Sequence, residues 1–164
     1  MLRQEAIESN GTKSLSYGKI QSEYIKLFAE KLKVDASTVK VEFSTTENAT
    51  VMSIYGPTGG EGNITMYSFP VCCGLCVIGN ICGVSNRQRG LASLLSEMAQ
   101  DYAYSNGYTI VLASDKVANY TENIFNKQLW SKAVEFKNRR TKNQVHLHFK
   151  NLETINKPIT LTAE

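Results

Sequence analysis

No stretch of this 164-residue chain stays apolar for the length a membrane helix needs, and the opening MLRQEAIESN lacks the hydrophobic core of a secretion signal. A membrane partner is therefore not expected, and the chain reads as cytoplasmic. Charge of one sign is also lacking, since 18 Lys and Arg stand against 15 Asp and Glu for a net +3. Nucleic-acid modules are usually far more basic, so this balance argues against a polyanion as the main partner. Cysteine is sparse, with Cys72, Cys73, Cys76 and Cys82 bunched in one stretch. In a cytoplasmic protein these are reduced thiols. Cys73 and Cys76 have the spacing of half a zinc site, but a second pair at ligand spacing is missing. Cys82 with His146 and His148 would complete one only by an accident of folding, so no metal is expected. Repeats, low-complexity tracts and linkers are absent as well, and residues 1–164 read as one domain with a core over about 19–151.

What is present is an ordinary globular pattern, 42% hydrophobic and 20% charged, in a chain long enough to bury roughly two-thirds of its unfolded surface. Ile20, Tyr24, Leu27, Phe28 and Leu32 predict a helix over 19–33. Val39, Val41 and Phe43 alternate through a strand over 38–44, and further strands follow over 50–55 and 64–69. Between the last two lies GPTGGEGN (56–63), read as a loop; it lacks the Gly-Lys-Ser/Thr ending of a P-loop. The apolar run LCVIGNICGV from Leu75 predicts a buried strand, LASLLSEMAQDYAY a helix, and Gly107 its left-handed cap. YTIVLA (108–113) is a wholly apolar strand suited to the middle of a covered sheet. Tyr120, Ile124, Phe125, Leu129 and Trp130 predict a helix over 119–131, and 133–137 and 144–151 a last pair of strands around a basic turn. Residues 1–17 read as a loose terminus or a short strand, and 159–162 as a final short strand. The order describes an α+β sheet with helices on its faces.

The stretch from Leu75 to Tyr104 organises the rest. A buried strand feeds the short polar loop SNRQRG, which opens directly into a helix. Loop amides pointing one way and the partial positive charge of a helix N-terminus make a cradle for phosphate. Gly90 and Ala92 let a ligand approach the main chain without meeting a large side chain.

Arg87-Gln88-Arg89-Gly90-Leu91-Ala92 fits the R/Q-x-x-G-x-G/A pattern, and with its strand and helix the chain resembles the GNAT superfamily of acyl-CoA-dependent N-acyltransferases. The likeness in element order runs from about Thr38 to Asn151. A fainter echo follows: Asn119 stands where the family often has an Asn, and Phe125 to Lys132 echoes a "-LYEKLGF-" type ending. The resemblance implies a single GNAT-type α+β domain, with a mixed, mostly antiparallel sheet splayed at a CoA slot and helices on both faces. It implies acetyl-CoA as acyl donor and a primary amine of a small molecule or protein as acceptor. Arg87, Gln88, Arg89, Gly90, Leu91 and Ala92 would hold the CoA pyrophosphate; the strand end, with Cys82 and Val84, would pair with the pantetheine arm; Asn119 and Phe125 would line the same site.

Three departures bear on the chemistry. The stretch before Arg87 is short and lacks the proline often found there, Asn126 stands where a general-acid Tyr is common, and no Glu lies in Leu75–Cys82. Tyr120 and Asp115 are candidates near the expected slot, with Tyr120 the catalytic candidate against a plainer reading as a packed helix tyrosine. One rival reading is a catalytically inactive CoA-binding or protein-interaction module. Another is a small RNA-binding protein using Lys137, Arg139, Arg140 and Lys142, whose plainer reading is a solvated hairpin turn. A free edge strand would allow a homodimer.

Overall fold

The computed structural model describes residues 2–8, 16–57, 59–68, 75–82, 91–114, 125–128, 130–137 and 144–153. Helix α1 is Leu2–Glu8 and α2 is Tyr17–Leu32. Strands β1 (Lys40–Thr45), β2 (Ala49–Gly56), β3 (Gly59–Ser68) and β4 (Leu75–Cys82) follow, then α3 (Leu91–Ser105), β5 (Ile110–Ser114), β6 (Ser131–Lys137) and β7 (Gln144–Asn151). The strands form one seven-stranded sheet in the order β1-β2-β3-β4-β5-β7-β6. Every pairing is antiparallel except β4 with β5, which α3 joins as a crossover. The architecture is a single α+β unit built on a mixed sheet, in the order expected from the sequence.

Local chemistry sets the element ends. Ser16 caps α2 by accepting the Lys19 amide at 3.2 Å, and Lys33 closes it in the left-handed conformation at φ 57°. Gly107 ends α3 at φ 86°; its amide bonds the Tyr104 carbonyl and the Tyr108 amide reaches back to Ala103. That is the glycine-capped helix end expected here, because a side chain at this φ would be strained.

Among the described residues, α1, α2 and α3 gather over the sheet face that carries Val41, Met52, Ile54, Ile64, Met66 and Ile78. From α2, Ile20, Tyr24, Phe28 and Leu32 enter this core. Each such side chain contributes about 1.5–3 kcal/mol on burial. α3 is buried on most sides, through Leu91, Leu95, Met98, Ala99, Gln100, Asp101 and Ala103. A helix enclosed by sheet, α2 and α1 has little solvent face, which is why its hydrophobic pattern is broad.

Two expectations are corrected. The N-terminus is not loose or extended near its start: Leu2–Glu8 is helical, and Leu2 and Arg3 are buried. Arg3 donates to the Asp101 carboxylate on α3 from both its backbone amide (3.3 Å) and its Nη1 (3.4 Å). The Gly-rich segment is mostly strand: β3 begins at Gly59, and the register slips between Ile54 and Tyr55 to accommodate Glu61. Backbone pairing with β2 overrides the turn-forming composition. Of the helix expected over 119–131, residues 119–124 lie outside the described residues, 125–127 are helical, and the chain turns at Gln128. The Trp130 amide bonds the Phe125 carbonyl at 2.8 Å, folding the indole back on the Phe125 ring at 4.8 Å, and Ser131 already belongs to β6.

Candidate functional site

β4 and β5 pair as parallel strands over four positions, from Leu75 with Ile110 to Ile78 with Ala113. Beyond that, β5 ends at Ser114 while β4 continues to Cys82 with partners on β3 alone. Among the described residues, the edge of β4 from Gly79 to Cys82 that faces away from β3 is therefore unpaired. Backbone amides and carbonyls there can bond an extended, amide-bearing ligand arm. The split lies at the carboxyl ends of both parallel strands, where ligands bind in open sheets. α3 begins at Leu91, so its N-terminus comes to the same end as the segment that follows β4.

A bulge marks the point of parting. Register between β3 and β4 shifts after Thr65, where Asn80 pairs with Thr65 and Ile78 with Met66, so Gly79 is the extra residue. The Tyr67 ring lies against Gly79, and a Cβ built on this glycine would stand 2.1 Å from Tyr67 Cε2. Tyr67 is otherwise 45% exposed.

The far bank of the split is β7. Ile78, Ala113 and His148 are successive register partners across three strands, so their side chains share a face. The buried Phe125 ring stacks on His148 at 4.1 Å and 24°. Below it, Gln128 joins this segment to α3. Its Oε1 accepts from Ser96 Oγ (2.9 Å), Gln100 Nε2 (2.7 Å) and Trp130 Nε1 (3.3 Å), and its Nε2 donates to the Ser93 carbonyl (3.0 Å). Lys150 Nζ donates to the Gln128 carbonyl. Burial holds the Lys150 ammonium below its usual range, with Arg3 adding repulsion and Glu97 opposing it. Burial likewise pushes Asp101 and Glu97 above the usual carboxylate range despite Arg3 beside them.

Of the residues expected to form the site, the structure places four. Cys82 is the last residue of β4, opposite Asn63 and past the end of β5. Leu91 is the first residue of α3 and only 1% exposed, so its side chain serves the core and only its backbone can meet a ligand. Ala92 is half-buried beside it. Phe125 is buried against His148 and Trp130. Val84, Arg87, Gln88, Arg89, Gly90, Asn119, Tyr120 and Asp115 lie outside the described residues, as do Cys72, Cys73, Arg139, Arg140 and Lys142. Asn126 is exposed. Cys76 is buried, donates weakly to the Ile110 carbonyl at 3.8 Å, and has its thiol pushed up to about 12 by burial. It is a packing residue and not a nucleophile. Among the described residues no group of His, Cys, Asp or Glu is arranged to hold a metal ion, and no helix is long and apolar enough to cross a membrane.

No protein-family model matches the sequence, and no curated protein matches it either. Solved structures do. The ribosomal-protein-S18-alanine N-acetyltransferase from Escherichia coli superimposes with a TM-score of 0.57 at 11% identity, over 88% of this chain and 94% of that one. A GNAT family acetyltransferase from Elizabethkingia anophelis with acetyl-CoA bound gives 0.56 at 10% identity, over 70% and 98%. The acetyltransferase of GNAT family from Streptococcus pneumoniae gives 0.55 at 14% identity, over 65% and 68%. The chain has the GNAT fold.

Within that GNAT fold, one feature went unread in the sequence. Gln128 has no local pattern to announce a hub, because its partners on α3 lie 28 to 35 residues away. His146 and His148 alternate along one face of β7; their rings stand 6.3 Å apart and both residues are half-buried.

Proposed function

We propose that this chain is an N-acetyltransferase that receives acetyl-CoA in the split between β4 and β5 and passes the acetyl group to a primary amine of a small molecule or protein. The observation that carries the reading is the end of the parallel pairing at Ile78 and Ala113 among the described residues, with the sequence RQRGLA running into α3, inside a GNAT fold. The amides of Gln88 to Ala92 would take the pyrophosphate, with Arg87 and Arg89 adding positive charge. The pantetheine arm would pair with the free edge of β4 from Gly79 through Cys82 and on to Val84. Acetyl-CoA supplies an activated thioester, and the neighbour from Elizabethkingia anophelis holds acetyl-CoA in the same fold. Proximity of acetyl-CoA and a bound amine is worth as much as about 7–11 kcal/mol of the barrier, so such a transfer can proceed without the usual carboxylate in β4. Asn119 is the candidate cofactor contact after β5, and Tyr120 the candidate catalytic residue.

Calorimetry with acetyl-CoA and CoA tests the reading. The expected dissociation constant lies below about 1 mM for both. Absence of binding in that range removes the reading. Gly90→Trp should weaken binding by crowding the pyrophosphate, and unchanged affinity removes Gly90 from the site. A screen of primary amines for release of the CoA thiol then separates a transferase from a module that only binds.

A further inference from the structure

We infer that Gln128 is a positioning residue for the pyrophosphate of CoA. It orients the first turn of α3 through Ser93 and does not touch the ligand; this rests on the acetyltransferase reading above. Ser93 directly follows Ala92, the last residue of RQRGLA, and lies in the turn whose backbone amides have no partner within the helix. The direction of those amides decides how well they meet an anion, so whatever orients the turn sets the affinity.

Both polar atoms of the Gln128 side chain are engaged. Nε2 donates to the Ser93 carbonyl at 3.0 Å and to Ser93 Oγ at 3.1 Å. Oε1 accepts from Ser96 Oγ at 2.9 Å, Gln100 Nε2 at 2.7 Å and Trp130 Nε1 at 3.3 Å. The amide cannot be turned over. The Trp130 indole only donates and the Ser93 carbonyl only accepts, so oxygen must face the one and nitrogen the other. The Gln128 carbonyl in turn accepts from Lys150 Nζ on β7, and Lys150 is the register partner of Val111 on β5. The start of α3 is thus held to the β7 side of the sheet by bonds that fix direction as well as distance.

An apolar side chain could fill this place, and would pack against α3 without orienting it. Gln128 is 8% exposed, so water competes little for its bonds. A fully satisfied buried network specifies one arrangement where apolar packing tolerates several. The polar residues of α3 match this role: Ser93, Ser96 and Gln100 recur at three- and four-residue spacing, which puts them on one side of the helix. Gln100 Nε2 also donates to Ser96 Oγ at 3.2 Å, which closes the network along that side.

Gln128→Met keeps the length of the side chain and removes its directed bonds. Calorimetry well below the melting temperature, with circular dichroism showing a folded variant, should find the CoA dissociation constant raised roughly 10- to 10²-fold, the equivalent of one charge-assisted hydrogen bond. A residue that serves stability alone would lower the melting temperature and leave the affinity of folded molecules unchanged. A dissociation constant within about twofold of the wild type therefore overturns the inference while the cofactor reading stands. If the wild type binds no CoA, both fall. With any amine that turns over, the KM for acetyl-CoA should rise while kcat holds within about threefold; a lower kcat at unchanged KM overturns the inference. Should the variant not fold, the wild type decides. Its single tryptophan gives one indole N–H signal, from the group that bonds Gln128. CoA and its pyrophosphate-bearing fragment 3′-phospho-ADP should both move that signal, since Ser93 and Trp130 share one amide. A signal moved by CoA alone, or by neither, overturns the inference.

Discussion

Replacing Gly79 by Ala tests the geometry at the mouth of the slot. The new Cβ would lie 2.1 Å from Tyr67 Cε2 and 2.7 Å from Cδ2, far inside contact distance, so the ring must move. Forcing a methyl into such a contact costs roughly 1–3 kcal/mol. In a domain of this size each kcal/mol lowers the melting temperature by about 2–4 °C, so a loss of about 2–12 °C is expected by circular dichroism. Because Tyr67 is nearly half exposed, its ring can yield without disturbing the core, which places the cost toward the lower end. The double variant Gly79→Ala/Tyr67→Ala separates the clash from any intrinsic effect on the bulge. In the Tyr67→Ala background the Gly79 substitution should cost almost nothing, giving a coupling close to the single-variant loss. An equal loss in both backgrounds refutes the contact, and with it the position assigned to Gly79 as the extra residue where β4 leaves β5.

Three other outcomes are expected. Gln128→Ala should lower the unfolding free energy by at least roughly 2 kcal/mol in urea, since it strands the Ser96 hydroxyl, the Gln100 amide and the Trp130 indole in the core. Cys76, with its thiol at about 12, should resist maleimide in the folded protein at pH 8 and react only on unfolding, as read by peptide mapping of the labelled chain. Asp101 and Glu97 hold protons more tightly folded than unfolded, first because of burial. Their contribution to stability should therefore fall as pH rises from the unfolded values near 4 through the raised folded ones, and Asp101→Asn/Glu97→Gln should lose that slope in melting curves.

Much of the fold was legible because its signals are local. β7 spans Gln144–Asn151 as the alternation of hydrophobic and polar residues indicates, and Gly107 takes the positive φ that its position after α3 requires. The misses share a different cause. α1 is too short to stand by propensity and is fixed by Arg3 reaching Asp101, 98 residues away. β3 recruits Gly59 to Asn63 because β2 offers them partners, which no turn pattern reveals. The helix expected over 119–131 is described only from Phe125, where 125–127 are helical, and its end is set by Trp130 folding back onto Phe125. For the site, the motif gave the helix start at Leu91, whose side chain proves to be core, while the split between β4 and β5 follows from pairing and not from residue type.

Hydrogen–deuterium exchange with and without acetyl-CoA tests the central claim most directly. Bound acetyl-CoA should slow exchange over Gly79–Cys82 and the segment leading to Ala92, because the free edge of β4 and the amides before α3 gain partners. Protection elsewhere with unchanged exchange across Gly79–Cys82, at concentrations where calorimetry reports saturation, would contradict the placement of the cofactor between β4 and β5.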